Sequence, residues 1–175
     1  MTADTNTIAR DGGKTVTDAG SLVPPDARAL NRMTVSLLSQ PVNLGLARVA
    51  VAAFFSQLDL MLSELEEIKV AVSEAVSNAI LHGYRREPDG WITVSAAIYP
   101  ETMEIVVEDR GEGFDGEPRP PAGDGEEEGF GMGFALMRSF MDEVVLVSKP
   151  GQGTQVTMRK KARVPAPAHP SAGTC

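Results

Sequence analysis

Four short groups of residues, in order between positions 74 and 154, carry side chains and glycines that can do chemistry. Glu74, Asn78 and His82 are spaced i, i+4, i+8 in a stretch of helical periodicity. At about 100° per residue they fall within one stripe roughly 80° wide. A solvated helix face would be the ordinary explanation, but Asn is a mediocre helix former in mid-helix. Its neutral carbonyl oxygen suits Mg²⁺ already held by phosphates. Glu74, one turn earlier, can take a proton from an attacking hydroxyl or water. His82 reads as a helix-end hydrogen-bonding group. Asp109 ends an apolar run and is followed at once by Gly111 and Gly113. A carboxylate there can accept a hydrogen bond from an exocyclic amine such as adenine N6, and glycines let the backbone lie against a flat ring. Gly129, Gly131 and Gly133 precede a helix, where free backbone N–H groups and the helix dipole can hold phosphates. Gly151-Gln-Gly153-Thr154 alone reads as a hairpin turn. Together the four groups supply a metal ligand, a base, an adenine acceptor and two flexible phosphate-facing segments.

Other nucleotide signatures are absent. No strand immediately precedes Gly129 and the last glycine spacing is wrong for a dinucleotide fingerprint, and neither a P-loop nor the protein-kinase set occurs.

The elements that must position these residues follow from periodicity and turn chemistry. Residues 34–39 read as a first strand. Asn43 reads as the N-cap of a helix over about 44–57, whose apolar residues Leu46, Val49, Val51, Ala53 and Phe54 leave Arg48 on a different face. Ser63-Glu-Leu-Glu66 is a capping-box pattern opening a longer helix. Leu65, Ile68, Val72, Val76 and Ile80 give that helix its buried face, and Gly83 its stop. Residues 91–99 and 103–108 read as paired strands, 134–141 as a short helix, and 143–148 and 155–160 as strands around the Gly151/Gly153 turn. The glycine- and proline-rich stretch 111–133, with its acidic run, reads as a long mobile loop. Methionines 132, 137 and 141 follow helical spacing loosely, as packing residues do.

The whole chain is consistent with that scheme. Its 175 residues make one domain with room for a core plus tails. A net charge of −8 argues against nucleic acid as the main partner and favours a basic protein surface. The single cysteine, Cys175, allows no internal disulfide, and the polar first twenty residues show no signal peptide, so a cytoplasmic location is expected. The expected organisation is a disordered extension over 1–31, a domain over 32–162 with a lid at about 114–130, and a disordered tail over 163–175.

The ordered set resembles the N, G1, G2 and G3 boxes of the GHKL ATPase superfamily of gyrase, histidine-kinase and MutL type. Flanking strings narrow the resemblance: Ala47-Arg48-Val49, Ala52-Ala53-Phe54, Gln57-Leu58-Asp59, Glu67-Ile68-Lys69, Val72-Ser-Glu-Ala-Val, His82-Gly83-Tyr84, Gly131-Met-Gly-Phe and Phe140-Met-Asp-Glu-Val. These are similar to the SpoIIAB-type family of sporulation anti-sigma-F serine kinases, over roughly residues 34–161. The resemblance implies an α/β (α+β two-layer) sandwich, with helices on one face of a mixed, mainly antiparallel sheet and a mobile ATP lid. It implies a homodimer that binds a sigma-F-type sigma factor, keeps it from RNA polymerase, and phosphorylates a serine of an anti-anti-sigma factor of SpoIIAA type. By position Glu74 would be the general base and Asn78 the Mg²⁺ ligand. Asp109, Gly111, Gly113, Gly129, Gly131, Met132, Gly133 and Thr154 would join Asn78 in binding ATP, and Arg48 would contact partners.

The chain departs from the family pattern in its lid. Residues 117–128 are acidic and proline-rich, with Arg119 the sole basic residue, and Glu127 and Glu128 stand where relatives can place a phosphate-binding cation. Two alternatives stay open on this evidence: a general-stress kinase of RsbW type, or a nucleotide-gated sigma-binding module with weak kinase activity.

Overall fold

The computed structural model describes residues 22–24, 27–87, 89–115 and 131–164. The element order is β1 (Asn31–Leu38), α1 (Asn43–Phe55), α2 (Leu62–Asn78) with a π-helical turn over Ala79–Gly83, β2 (Trp91–Ile98), β3 (Thr102–Asp109), α3 (Gly131–Phe140), β4 (Glu143–Lys149) and β5 (Gly153–Lys161). The five strands form one sheet in the order β1-β2-β3-β5-β4. All four pairings are antiparallel, where a mixed, mainly antiparallel sheet was expected. Connectivity explains the difference. Two helices separate β1 from β2, so the chain turns back three times before it pairs with β1, an odd number that leaves the strands antiparallel. The pairs β2–β3 and β4–β5 are consecutive strands, and β5 reaches β3 through α3 and β4.

The α2 helix is the middle of the helical layer, packed on both α1 and α3. Its Ile68, Ala71, Val72, Ala75 and Val76 are at most 1% exposed, an i, i+3, i+4 stripe laid on the sheet. Full burial of each branched side chain is worth about 1.5 to 3 kcal/mol. Facing it are Ile92, Val94, Met103, Ile105, Val107, Leu146, Val156 and Met158 from the strands, with Met137 and Met141 from α3 and the end that follows it.

Several local expectations are corrected. Helix α1 buries Ala47, Val51 and Phe55, while Leu46 and Val49 stand exposed beside Arg48. This helix is apolar nearly all round, so its periodicity could not choose a face; the small Ala47 turns inward. Asn43 opens the helix, but its amide donates back to the Leu38 carbonyl at 2.9 Å instead of capping a helix N–H. The cap of α2 is Met61, two residues earlier than the apparent cap Ser63: the Met61 N–H donates to Glu64 Oε2 at 2.8 Å, so the capping carboxylate is Glu64, not Glu66. Nor does Gly83 end the helix through a left-handed conformation. The positive φ values fall at Arg85 (47°) and Arg86 (67°).

The sheet's second face carries a charged row. Arg159 donates to Glu104 and to Glu143, each at 2.6 Å. The Leu22 N–H donates to the other oxygen of Glu143 at 2.8 Å, so a segment ahead of β1 crosses this end of the sheet. No helix among the described residues is long and apolar enough to cross a membrane.

Candidate functional site

The end of α2, the end of β3 and the start of β5 meet at the opposite end of the sheet. In the β3–β5 register Asp109 stands opposite Thr154. The Asp109 carboxylate accepts the Gly111 N–H at 2.9 Å, and the Thr154 N–H also donates to it. It is 5% exposed. Burial pushes its carboxyl above the ordinary value of 3.8, against the lowering effect of those two N–H donors, with Glu108 adding a smaller upward push.

Glycines make this convergence possible. A Cβ on Gly83 would stand 2.8 Å from Asp109 Oδ1, and one on Gly111 would stand 2.0 Å from the Gly83 carbonyl oxygen. The Gly83 carbonyl in turn accepts the Glu112 N–H at 2.8 Å. Gly153, at φ +81°, lets β5 pass within 2.0 Å, measured from an ideal Cβ, of the Asp109 carbonyl oxygen. It is therefore more than part of a hairpin turn. Gly113, at φ +59°, lies as closely against the Lys149 carbonyl, and the Gly151 N–H donates to Glu112. The second and fourth sequence groups are thus stitched to each other and to the helix end.

Between them opens a narrow pocket. Val107 and Val156 line it from the sheet, Ala75 and Ala79 from α2, and Phe114 from the segment after Gly113. Its polar groups are Asn78, His82, Asp109 and Thr154. Apolar walls with one buried hydrogen-bonding carboxyl suit a flat heterocycle bearing an amine.

Glu74 and Asn78 converge beside this pocket, on α3. An ideal Cβ on Gly133 would stand 2.6 Å from Glu74 Oε2 and 3.5 Å from Asn78 Nδ2. Gly131, Met132 and Gly133 lie within α3 instead of preceding it. Met132 is 66% exposed, whereas Met137 and Met141 are core residues. Gly129 lies outside the described residues, as do residues 116–130 generally. Arg48 is exposed on α1 and does not line the pocket.

Asn78 offers a test of the expected Mg²⁺. Its side-chain Nδ2 is buried and has no hydrogen-bond partner, a costly arrangement unless something else completes the site. Amide oxygen and nitrogen exchange by a half-turn about χ2, so the unpaired corner can present the carbonyl oxygen. Among the described residues no cluster of three or more His, Cys, Asp or Glu side chains could hold a metal. A single neutral oxygen, with most ligands left to phosphates and water, fits Mg²⁺.

Two contributors were not legible in the sequence. Ser148 Oγ accepts the Phe114 N–H at 3.0 Å and lies 2.9 Å from Thr154 Oγ1, tying β4 to the pocket wall. Tyr84 bonds the backbone on either side of β2 and β3. Only the string His82-Gly83-Tyr84 hinted at the latter.

Comparison with known proteins gives this arrangement a family. The histidine kinase-like ATPase domain matches residues 37–160. The anti-sigma F factor of Halalkalibacterium halodurans is 45% identical over 134 residues, covering 74% of this chain and 92% of that protein. The anti-sigma F factor of Clostridium beijerinckii is 41% identical over 143 residues, covering 77% and 96%. Among solved structures, the RsbU and RsbW domains of a Mycobacterium tuberculosis protein share the fold, with a TM-score of 0.57 at 22% identity over 77% of this chain and 33% of that one. The chain belongs to the anti-sigma F factor family and carries a histidine kinase-like ATPase domain.

Proposed function

We propose that this anti-sigma factor sequesters a sigma-F-type sigma factor and, with Mg-ATP, phosphorylates a serine of a SpoIIAA-type anti-anti-sigma protein, acting in sporulation as a homodimer. The observation that carries the chemistry is the meeting of the Glu74 carboxylate and the unpaired Asn78 amide at Gly133, beside the Asp109 pocket. Asp109 accepts the adenine amine, and Gly111 and Gly113 leave room for the ring. Gly129, Gly131, Met132 and Gly133 frame the phosphates, and Thr154 holds Asp109 from β5. Asn78 would ligate Mg²⁺, which when bound neutralises phosphate charge. Glu74 takes the proton of the acceptor serine as its oxygen bonds the γ-phosphorus and the bond to the bridging oxygen breaks, releasing ADP. Arg48, on the exposed side of α1 between Leu46 and Val49, is proposed as a partner contact.

The test is phosphotransfer from Mg-ATP to the cognate anti-anti-sigma protein. The Glu74→Ala variant is expected to lose transfer by about 10²- to 10⁴-fold, the usual contribution of a positioned base, while its ATP affinity stays within a factor of two. Undiminished transfer would remove Glu74 from the base role. ATP-dependent sigma binding by a wild type that transfers no phosphate would select the nucleotide-gated module instead.

A further inference from the structure

Tyr84 does something that none of the four sequence groups requires. Its N–H closes the π-helical turn on the Ala79 carbonyl at 3.0 Å. Its ring then lies against Gly90, where a Cβ would stand 2.4 Å from two ring carbons. The hydroxyl is thereby delivered to a defined point in the sheet. It donates to the Trp91 carbonyl at 2.7 Å and accepts the Arg110 N–H at 2.9 Å.

Those two backbone groups belong together in another sense. The β2–β3 ladder ends with Ile92 opposite Asp109. One more antiparallel step would set Trp91 opposite Arg110, with that carbonyl and that N–H facing each other. The phenol oxygen sits between them. It holds the strands apart immediately after Asp109 while keeping both backbone groups satisfied. From the point of divergence the chain turns to bring the Gly111 N–H onto Asp109 and the Glu112 N–H onto the Gly83 carbonyl.

We infer that the Tyr84 hydroxyl is a positioning group for base recognition: a wedge between β2 and β3 that fixes the backbone on which the Asp109 carboxyl is aimed. The inference rests on the proposed role of Asp109 as adenine reader. Tyr84 does not line the pocket. It acts through Arg110 and Gly111. Without the hydroxyl the two backbone groups pair directly or with water, the segment 110–112 shifts, and the carboxyl loses its fixed relation to the amine of the base. Glu74 and Asn78 lie on the helical side and have no bond to this wedge.

The test titrates ATP and GTP separately into the full chain by calorimetry, for the wild type, Tyr84→Phe and Gly90→Ala. Tyr84→Phe deletes only the hydroxyl. Gly90→Ala keeps it but pushes on the ring. The wild type is expected to prefer ATP. Each variant is expected to bind ATP about fivefold more weakly, the scale of one hydrogen bond, with GTP affinity unchanged, so that the preference falls by the same factor. In phosphotransfer the KM for ATP rises accordingly and kcat stays put. Variants that retain the wild-type ATP-to-GTP ratio, or lose both nucleotides equally, would overturn the wedge. A wild type with no adenine preference would remove the Asp109 reading, and the wedge with it. A preference in the wild type that survives in both variants would remove the wedge alone.

Discussion

Asp109 carries a burial cost that its two N–H donors, from Gly111 and Thr154, offset only in part. Its carboxyl is buried and its native pKa is raised above 3.8, chiefly by desolvation. A raised acid binds its proton more tightly in the folded than in the unfolded chain. Its favourable contribution to stability is therefore fully present below pH 3.8 and is lost as pH climbs through the native pKa. As pH rises, the pocket increasingly disfavours the ionised form of this carboxyl in the ligand-free protein. Asp109→Asn is expected to abolish this pH dependence: the stability of the wild type relative to the variant falls as pH rises from 4 towards 7, measured by urea unfolding at each pH. The same substitution should remove most adenine-nucleotide affinity. A group that makes the empty protein less stable while serving binding is the usual signature of function at the expense of stability. Asp-x-Gly is common in strand-ending turns, so the residue was legible in the sequence only through its place in the ordered set of four groups. Its burial was not, since that depends on Thr154, which pairing brings from 45 positions away in the chain.

At the scale of elements, the site depends on how closely α3 approaches α2. Gly133 is the contact, with Glu74 Oε2 2.6 Å from the place a Cβ would take. Gly133→Ala sets two effects against each other. Ala is favoured over Gly in a helix by about 1 kcal/mol, whereas the added methyl must displace the Glu74 carboxylate, the free end of a flexible side chain. Displacement of that end costs little stability but moves the proposed base from its position. Thermal stability should therefore hold or rise slightly while phosphotransfer falls roughly 10- to 100-fold, since misplacing a reacting group by about 1 Å costs rates of that order. A fall in stability with unchanged transfer would show that the carboxylate is not held there. Legibility differed between these helices for a physical reason. The stripe of α2 alternates apolar and polar residues at 3.6-residue spacing, so Ile68, Val72 and Val76 announce their face. Helix α1 offers Leu46, Val49 and Val51 in every direction, and only packing against α2 chooses Ala47, Val51 and Phe55. The π-helical turn at Ala79–Gly83 has no sequence signal at all. It exists because Gly83 must lie against Asp109 and Gly111, and Arg85 and Arg86 take the positive φ values that follow.

Across the whole molecule, the sheet separates two polar centres. Asp109 and Thr102 end β3 on opposite sides, about 23 Å apart at 3.3 Å per residue. The pocket lined by Asp109, Asn78 and Thr154 is at the Asp109 end. At the Thr102 end, Arg159 holds Glu104 and Glu143 at 2.6 Å each, and these three side chains are 14%, 16% and 4% exposed in the order Glu104, Arg159, Glu143. The Leu22 N–H completes Glu143. That segment lies ahead of residue 37, where the match to the ATPase domain begins. Arg159→Met would leave two carboxylates facing each other with no cation, and loss of one partner in such a cluster costs about 3 to 5 kcal/mol. Leu22→Pro removes a single N–H donor and leaves the sheet intact. It should cost about 1.5 to 3 kcal/mol, the range for a hydrogen bond to a charged group. Both losses are measurable by urea unfolding. Because no side chain of the charged row reaches the pocket, neither substitution should change ATP affinity by more than about twofold under folding conditions, and either should add to Asp109→Asn within about 0.5 kcal/mol. Loss of ATP binding by Leu22→Pro at a temperature where the protein stays folded would mean that the segment ahead of β1 communicates along β3 with the Asp109 end, and that the two centres are one coupled system.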